Sequence, residues 1–260
     1  MSRKPDDKTH SLKPLKWYKS LATGRGRLEA GAFLVEGSRA IDQVISSDPA
    51  AIIEIVSAKE PPPVYRKYVN RIVTLSQLNS ICSTKTPQGI AAVVRLPLET
   101  YSDRLPDFPG DKILVLEDIQ DPGNVGTLIR TAAAFGYAGA ILTDKCADPF
   151  SPKCVQAAAG TVLSLWLRRT SRYLELVKIL KNKGHTLVAA DLRGDENISV
   201  LQGRAKLLLA LGNEAGGLSK SLLEIANYRL RIPIIREKTE SLNVAACGAI
   251  CMYLSSHIST

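Results

Sequence analysis

Along the C-terminal part of the chain, short apolar runs alternate with stretches whose apolar residues recur at helical spacing. Runs at 112–117 (KILVLE), 139–144 (GAILTD), 164–169 (SLWLRR), 186–191 (TLVAAD), 206–212 (KLLLALG) and 228–234 (YRLRIPI) predict strands. Continuous apolar strands with helices between most of them imply a parallel sheet covered on both faces. The earlier block differs. GAFLVEGSRAIDQVISS predicts a strand, a turn and a helix, and IIEIVSA, RIVTL and GIAAVVRL follow as short strands. That mixture predicts a second, smaller α/β domain over 28–100. A Pro-, Asp- and Gly-rich stretch without periodicity separates the two, so 101–110 is the expected linker and 111–260 the larger domain.

Charge changes the picture at one end. Lys and Arg number 34 against 25 acids, a formal net charge of +9, which favours a polyanionic partner. Residues 1–27 hold eight of those bases against two acids and predict a basic N-terminal arm. The arm lacks the apolar core of a signal peptide, and no later run is long enough to cross a bilayer. Five cysteines without Cys-x-x-Cys spacing and three histidines without ligand spacing predict no metal site. A reducing, cytoplasmic setting is expected, without a Ser-His-Asp hydrolase.

In open sheets of this kind ligands bind beyond the carboxyl ends of strands. Three such ends carry chemistry. After the first strand comes DIQDPGNVGTLIRTAAAFG, with a helix starting near Asn124. Val125, Leu128, Ile129, Ala132 and Phe135 give that helix a core face. Arg130 projects almost opposite them among Gly126, Thr127 and Ala134, a single guanidinium on a small-residue face. After the 206–212 run, Glu214 stands among Gly212, Gly216 and Gly217, where backbone can approach a flat ligand closely. After the last run, Ser241-Leu242-Asn243 opens a helix with no charged residue through Leu254, which predicts burial on all sides or a subunit interface. Neither a P-loop nor a dinucleotide-binding glycine pattern is present. The residues by themselves reach a polar, glycine-lined site with one Arg and one Glu.

The order NVGTLIRTAAAFG, LALGNEAGGLS, IPIIREKTESLNVAACGAICMY resembles the three motifs of the SpoU/TrmH family in the SPOUT superfamily, RNA ribose 2'-O-methyltransferases that use S-adenosylmethionine. FLVEGSRAI and TKTPQGIAAVV resemble the ribosomal-protein-like, RNA-binding substrate domain that often precedes this catalytic domain. The resemblance implies a deep trefoil knot in the parallel-sheet domain, a homodimer, and cofactor contacts at Leu211, Gly212, Ile232 and Leu242. It assigns Asn124, Arg130, Glu214, Ser241 and Asn243 to the catalytic pocket. Arg130 then positions phosphate or lowers the pKa of the 2'-hydroxyl in preference to acting as a base, and Glu214 either orients its neighbours or accepts the proton. Ala215 departs from the family, which commonly has Gly there. The implied partner is RNA, large-subunit rRNA before tRNA, because the separate first domain is present. A catalytically inactive RNA-binding or ribosome-assembly factor on the same fold is the alternative from another class.

Overall fold

The structure is a computed structural model that describes residues 13–84, 88–235 and 237–256. The first unit contains α1 (Leu15–Ser20), α2 (Gly24–Ala30), β1 (Ala32–Glu36), α3 (Ser38–Ser47), β2 (Ile52–Ser57), β3 (Asn70–Ile72), α4 (Leu75–Ile81) and β4 (Ile90–Arg95). Its sheet has the order β1-β4-β2-β3, with β4 antiparallel to both neighbours and β3 parallel to β2. Helices α1 and α4 cover one face through Tyr18, Leu21, Leu78 and Ile81, while α3 covers the other through Ile41 and Val44.

That arrangement corrects the expected arm. Residues 1–12 lie outside the described residues, but 13–27 are built into the first unit. Leu15, Tyr18 and Leu21 recur every third residue, and the last two are buried. Arg27 is also buried, donating to the carbonyls of Leu21 (3.0 Å) and Ala22 (3.1 Å) and pairing with Asp148 in the second unit. The two units share a core. Phe33 meets Phe150 with ring centroids 4.9 Å apart, and Ser47 Oγ lies 2.9 Å from Ser164 Oγ.

The connecting segment runs along the second unit, where Trp166 Nε1 donates to the Pro109 carbonyl (2.9 Å). The second unit then alternates through β5 (Lys112–Leu116), α5 (Pro122–Ala134), β6 (Gly139–Leu142), α6 (Pro152–Ala158), β7 (Trp166–Arg169), α7 (Tyr173–Asn182), β8 (Thr186–Asp195), β9 (Leu207–Leu211), α8 (Lys220–Ile225), β10 (Tyr228–Leu230) and α9 (Val244–Ser255). Every pair in its six-stranded sheet, ordered β10-β8-β9-β5-β6-β7, is parallel. Strands β5 and β9 lie at its centre and are fully buried apart from Lys112, as their uninterrupted apolar runs require.

Several boundaries move. β10 ends at Leu230 rather than 234, because Pro233 has no N–H to pair and the chain turns away. Helix α5 starts at Pro122, capped by Asp121, whose carboxylate accepts the Asn124 N–H (3.0 Å). Helix α9 starts at Val244, capped by Asn243. It is not buried all round: Ile250 and Tyr253 are 39% and 66% exposed. Among the described residues, no helix is long and apolar enough to cross a membrane.

Candidate functional site

The tips of β5 and β9 are adjacent, tied by the Glu117 N–H to the Leu211 carbonyl (2.9 Å). β10 lies beyond β8, but the chain that leaves it returns toward β9 to line the same space. The result is a cavity of about 450 Å³ walled by residues 190–193, 211–218 and 229–232 together with Ile234, Ser241, Leu242, Val244 and Cys247. All four expected cofactor residues, Leu211, Gly212, Ile232 and Leu242, line it, as do Glu214 and Ser241.

Three glycines, Gly212, Gly216 and Gly217, stand in the wall. A side chain at Gly212 would place its Cβ 2.4 Å from the Gly217 carbonyl carbon, so the loop folds back on itself too tightly for any other residue. Asn213 braces the fold-back: its Oδ1 accepts the N–H groups of Ala215 (2.9 Å) and Gly216 (3.0 Å), and its Nδ2 donates to the Asp118 carbonyl (2.8 Å). Ala215 fits without strain, since its backbone is not left-handed and its methyl faces the cavity and solvent. Charged side chains close the rim. Arg229 donates to Asp191 (2.7 Å), and Arg231 pairs with Glu196 (2.8 Å) while its buried Nε has no partner among the described residues.

At the lip three predicted residues form one relay. Asn243 Oδ1 accepts the free amides of Ala245 (2.9 Å) and Ala246 (3.3 Å) at the start of α9. Its Nδ2 must therefore donate, and it does so to Asn124 Oδ1 (3.1 Å). Asn124 Nδ2 then donates to Glu214 Oε1 (2.6 Å). The helix terminus thus sets the direction of every bond, and Glu214 is fixed as an acceptor. Asp121 secures the helix that carries Asn124. Its carboxyl is held below the usual range first by Lys153 (2.8 Å) and then by the Asn124 N–H.

Arg130 is not part of this cluster. It lies six residues along α5 from Asn124, about 9 Å down the helix axis. It is exposed and makes no hydrogen bond or ion pair with any described residue. Ser241 is no helix cap; it contributes to the cavity wall, and its carbonyl accepts from Thr239 Oγ1 (3.0 Å).

Helices α5 and α9 run side by side in the same direction. Asn124 meets Asn243 at one end, and Phe135 meets Tyr253 at the other with centroids 6.1 Å apart. Gly248 permits the contact between them, since a Cβ there would sit 2.4 Å from Leu128 Cδ2. Away from the sheet the pair presents Thr127, Arg130 and Ala134 beside Ala246, Ile250 and Tyr253.

Sequence reading missed Glu117, Asn213 and Cys247. Cys247 lines the cavity, whereas Cys251 behind it is buried, and the hydrogen bond from Cys251 lowers the pKa of the Cys247 thiol. Among the described residues, no group of three or more His, Cys, Asp or Glu side chains forms a metal site.

Residues 111–253 match the model of the SpoU rRNA Methylase family. The chain is 30% identical to the 23S rRNA (guanosine(2553)-2'-O)-methyltransferase RlmP of Bacillus subtilis, covering 92% of this chain and 94% of that one. Its fold superposes on an AdoMet-bound rRNA methyltransferase from Sinorhizobium meliloti with a TM-score of 0.79 at 26% identity, over 95% of each chain. The SpoU methyltransferase AviRb of Streptomyces viridochromogenes shares the fold, with a TM-score of 0.81 at 24% identity over 93% of this chain and 96% of that one.

Proposed function

Because the chain belongs to the SpoU rRNA methylase family, we propose that it methylates a ribose 2'-hydroxyl of large-subunit rRNA, using S-adenosylmethionine. The observation that carries this reading is the Asn243–Asn124–Glu214 relay at the lip of a cavity whose wall includes a folded-back glycine loop. The cavity suits the cofactor. Its volume is in the range for small-molecule sites, its glycine loop offers amides and carbonyls, and the Arg231 Nε still needs an acceptor. When bound, S-adenosylmethionine supplies an electrophilic methyl group on a positively charged sulfur.

The chain's own residues do the rest. Leu211, Gly212, Ile232 and Leu242 hold the nucleoside through the wall they form. Glu214, locked as an acceptor, orients the attacking 2'-hydroxyl and takes its hydrogen. Ser241 and Asn243 keep the far side of the lip in place. A guanidinium stays charged near neutral pH, so Arg130 serves as an electrostatic clamp on the RNA phosphate or the developing alkoxide.

Arg130 reaches that position through a second copy of the chain. The outer face of α5 and α9 combines exposed Ile250 and Tyr253 with a guanidinium that has no partner among the described residues, the composition of an interface with one directed polar group. Pairing two copies there brings Arg130 of one to the lip of the other. The first unit grips the RNA. In its VEG segment Glu36 accepts from the N–H (2.6 Å) and Oγ (2.8 Å) of Ser83 and from the N–H (3.1 Å) and Oγ1 (2.6 Å) of Thr84, which fixes the entry to the second resemblance segment. The family's knot belongs to the same reading, and its support is the fold-back of Gly212 against Gly217 and the meeting of Ile232, Ile234, Ser241 and Leu242 with Leu211 in one cavity wall. The reading places the protein in the cytoplasm, where bacterial rRNA is made.

Calorimetry with S-adenosylhomocysteine tests the site. One binding event per chain is expected. A protein that ignores the ligand refutes the assignment and favours an RNA-binding factor without catalysis.

A further inference from the structure

Glu117 is the last residue before the catalytic loop leaves β5, and it is 5% exposed. Alternation along the strand sends Ile113, Val115 and Glu117 to the face covered by α7 and α8, where Leu176, Leu180 and Leu222 pack. A carboxylate in such a place is costly unless its oxygens are bonded. Both are. Glu117 Oε2 accepts the Ser219 N–H (2.8 Å), and Oε1 accepts the Tyr173 hydroxyl. Burial, and then this carboxylate, push the Tyr173 pKa up, so the phenol stays protonated as the donor.

Ser219 caps α8 and directly follows Leu218, the last residue of the glycine loop in the cavity wall. The other end of the loop is held by the next residue on β5. Asp118 has φ 57°, a left-handed conformation rare outside glycine, and its carbonyl accepts from Asn213. The tip of β5 therefore pins the loop twice, by the Asp118 carbonyl at 213 and by the Glu117 carboxylate at 219. The amide wall lies between these anchors.

We propose that Glu117 is a positioning residue for the cofactor: through Ser219 it holds the 216–218 wall in its binding shape without touching the ligand. The inference rests on the cavity being the cofactor site. It predicts a specific pattern of rescue. In Glu117→Gln, the amide oxygen accepts from Ser219 and the NH₂ group donates to the Tyr173 oxygen. The phenol then turns its hydrogen to Ser219 Oγ, 3.4 Å away. Gln works only while Tyr173 is present.

The test is S-adenosylhomocysteine affinity by calorimetry on the full chain, for wild type, E117A, E117Q, Y173F and E117Q/Y173F. E117A is expected to bind about tenfold more weakly, each conservative single variant within about twofold of wild type, and the double variant about tenfold more weakly, beyond the product of its singles. At saturating cofactor, kcat stays within about threefold, because Glu214 is held from the Asn213 end. A double variant no weaker than the product of its singles overturns the proposal, and so does a folded E117A with wild-type affinity. A parallel readout separates the premise from the inference. Cys247 lies in the cavity, so S-adenosylhomocysteine should slow its alkylation by N-ethylmaleimide in the wild type. Absence of protection removes the cofactor site and the proposal with it. Protection together with an additive cycle removes the role of Glu117 alone.

Discussion

The cavity proposed for the cofactor and the outer face of α5 and α9 belong to the same unit, yet they differ in how far one chain completes them. At the cavity nearly every polar group is already engaged: Asn213 with Asp118, Asn243 with the start of α9, Asn124 with Glu214, Arg229 with Asp191. On the outer face the guanidinium of Arg130 has no partner among the described residues, and Ile250 and Tyr253 are open to water. Binding sites gain affinity from groups fixed before the ligand arrives, and that describes the cavity. The outer face, in the proposed homodimer, is fitted instead to a surface that one chain does not supply. Cofactor binding should therefore survive changes on the outer face that abolish catalysis.

The largest expected effect is on that face. Arg130→Ala should lower methylation by about 10²- to 10³-fold, the loss typical of removing one electrostatic clamp, while S-adenosylhomocysteine affinity stays unchanged. Single-turnover methylation beside calorimetry measures both. A fully active variant would remove Arg130 from the mechanism. Mixing R130A with Asn124→Ala sharpens the point: if Arg130 acts across subunits, co-refolded mixtures regain activity that neither parent has.

Next in size is Asn124→Ala itself. Losing a bond to a charged acceptor costs about 1.5–3 kcal/mol, or about a 10- to 100-fold drop in kcat. The cavity should still bind S-adenosylhomocysteine. Loss of affinity equal to the loss of rate would mean that the relay builds the cavity rather than the reaction site.

Gly248→Ala comes third. The added methyl meets Leu128 and Leu211, so overpacking should cost about 1–3 kcal/mol in a denaturant melt, with little change in cofactor binding. The smallest effect belongs to removal of residues 1–12. Those residues carry Arg3, Lys4 and Lys8, so the slope of log K against log salt for RNA binding should flatten by about one to two and a half units. An unchanged slope would deny those residues any phosphate contact. Deletion through residue 27 would not answer the question, because it removes Tyr18, Leu21 and the buried Arg27–Asp148 pair.

That last point shows where sequence was a poor guide. Between 13 and 27 the lysines dominate the pattern and obscure Leu15, Tyr18 and Leu21, and the partner of Arg27 is 121 residues away. The same difficulty covers Glu117, whose two partners come from other segments and which by pattern only ends an apolar run. By contrast, α5 was legible because Val125, Leu128, Ile129 and Ala132 repeat at helical spacing and are all buried. The glycines around Glu214 marked an unusual backbone, and the structure gives two reasons: Gly212 packs too tightly against Gly217 for a side chain, and Gly217 has a left-handed φ of 67°. Apolar Ile232 and Ile234 extended the last strand in pattern but not in fact. Pattern records burial, and these residues enter a cavity wall rather than a sheet. Arg130 stands out in the sequence as a single guanidinium on its helix and is exposed in the structure, while Gly126, expected beside it, is buried; no pattern within one chain reveals what Arg130 meets.

We propose that this cavity and its relay deliver a methyl group to a ribose oxygen of large-subunit rRNA. The most direct measurement incubates the purified protein with methyl-labelled S-adenosylmethionine and unmodified rRNA, digests the product to nucleosides and locates the label. Label is expected on the 2'-oxygen of one nucleotide in large-subunit rRNA and at most about a hundredth of it with R130A. Label on a base, or no transfer to any RNA, would contradict it.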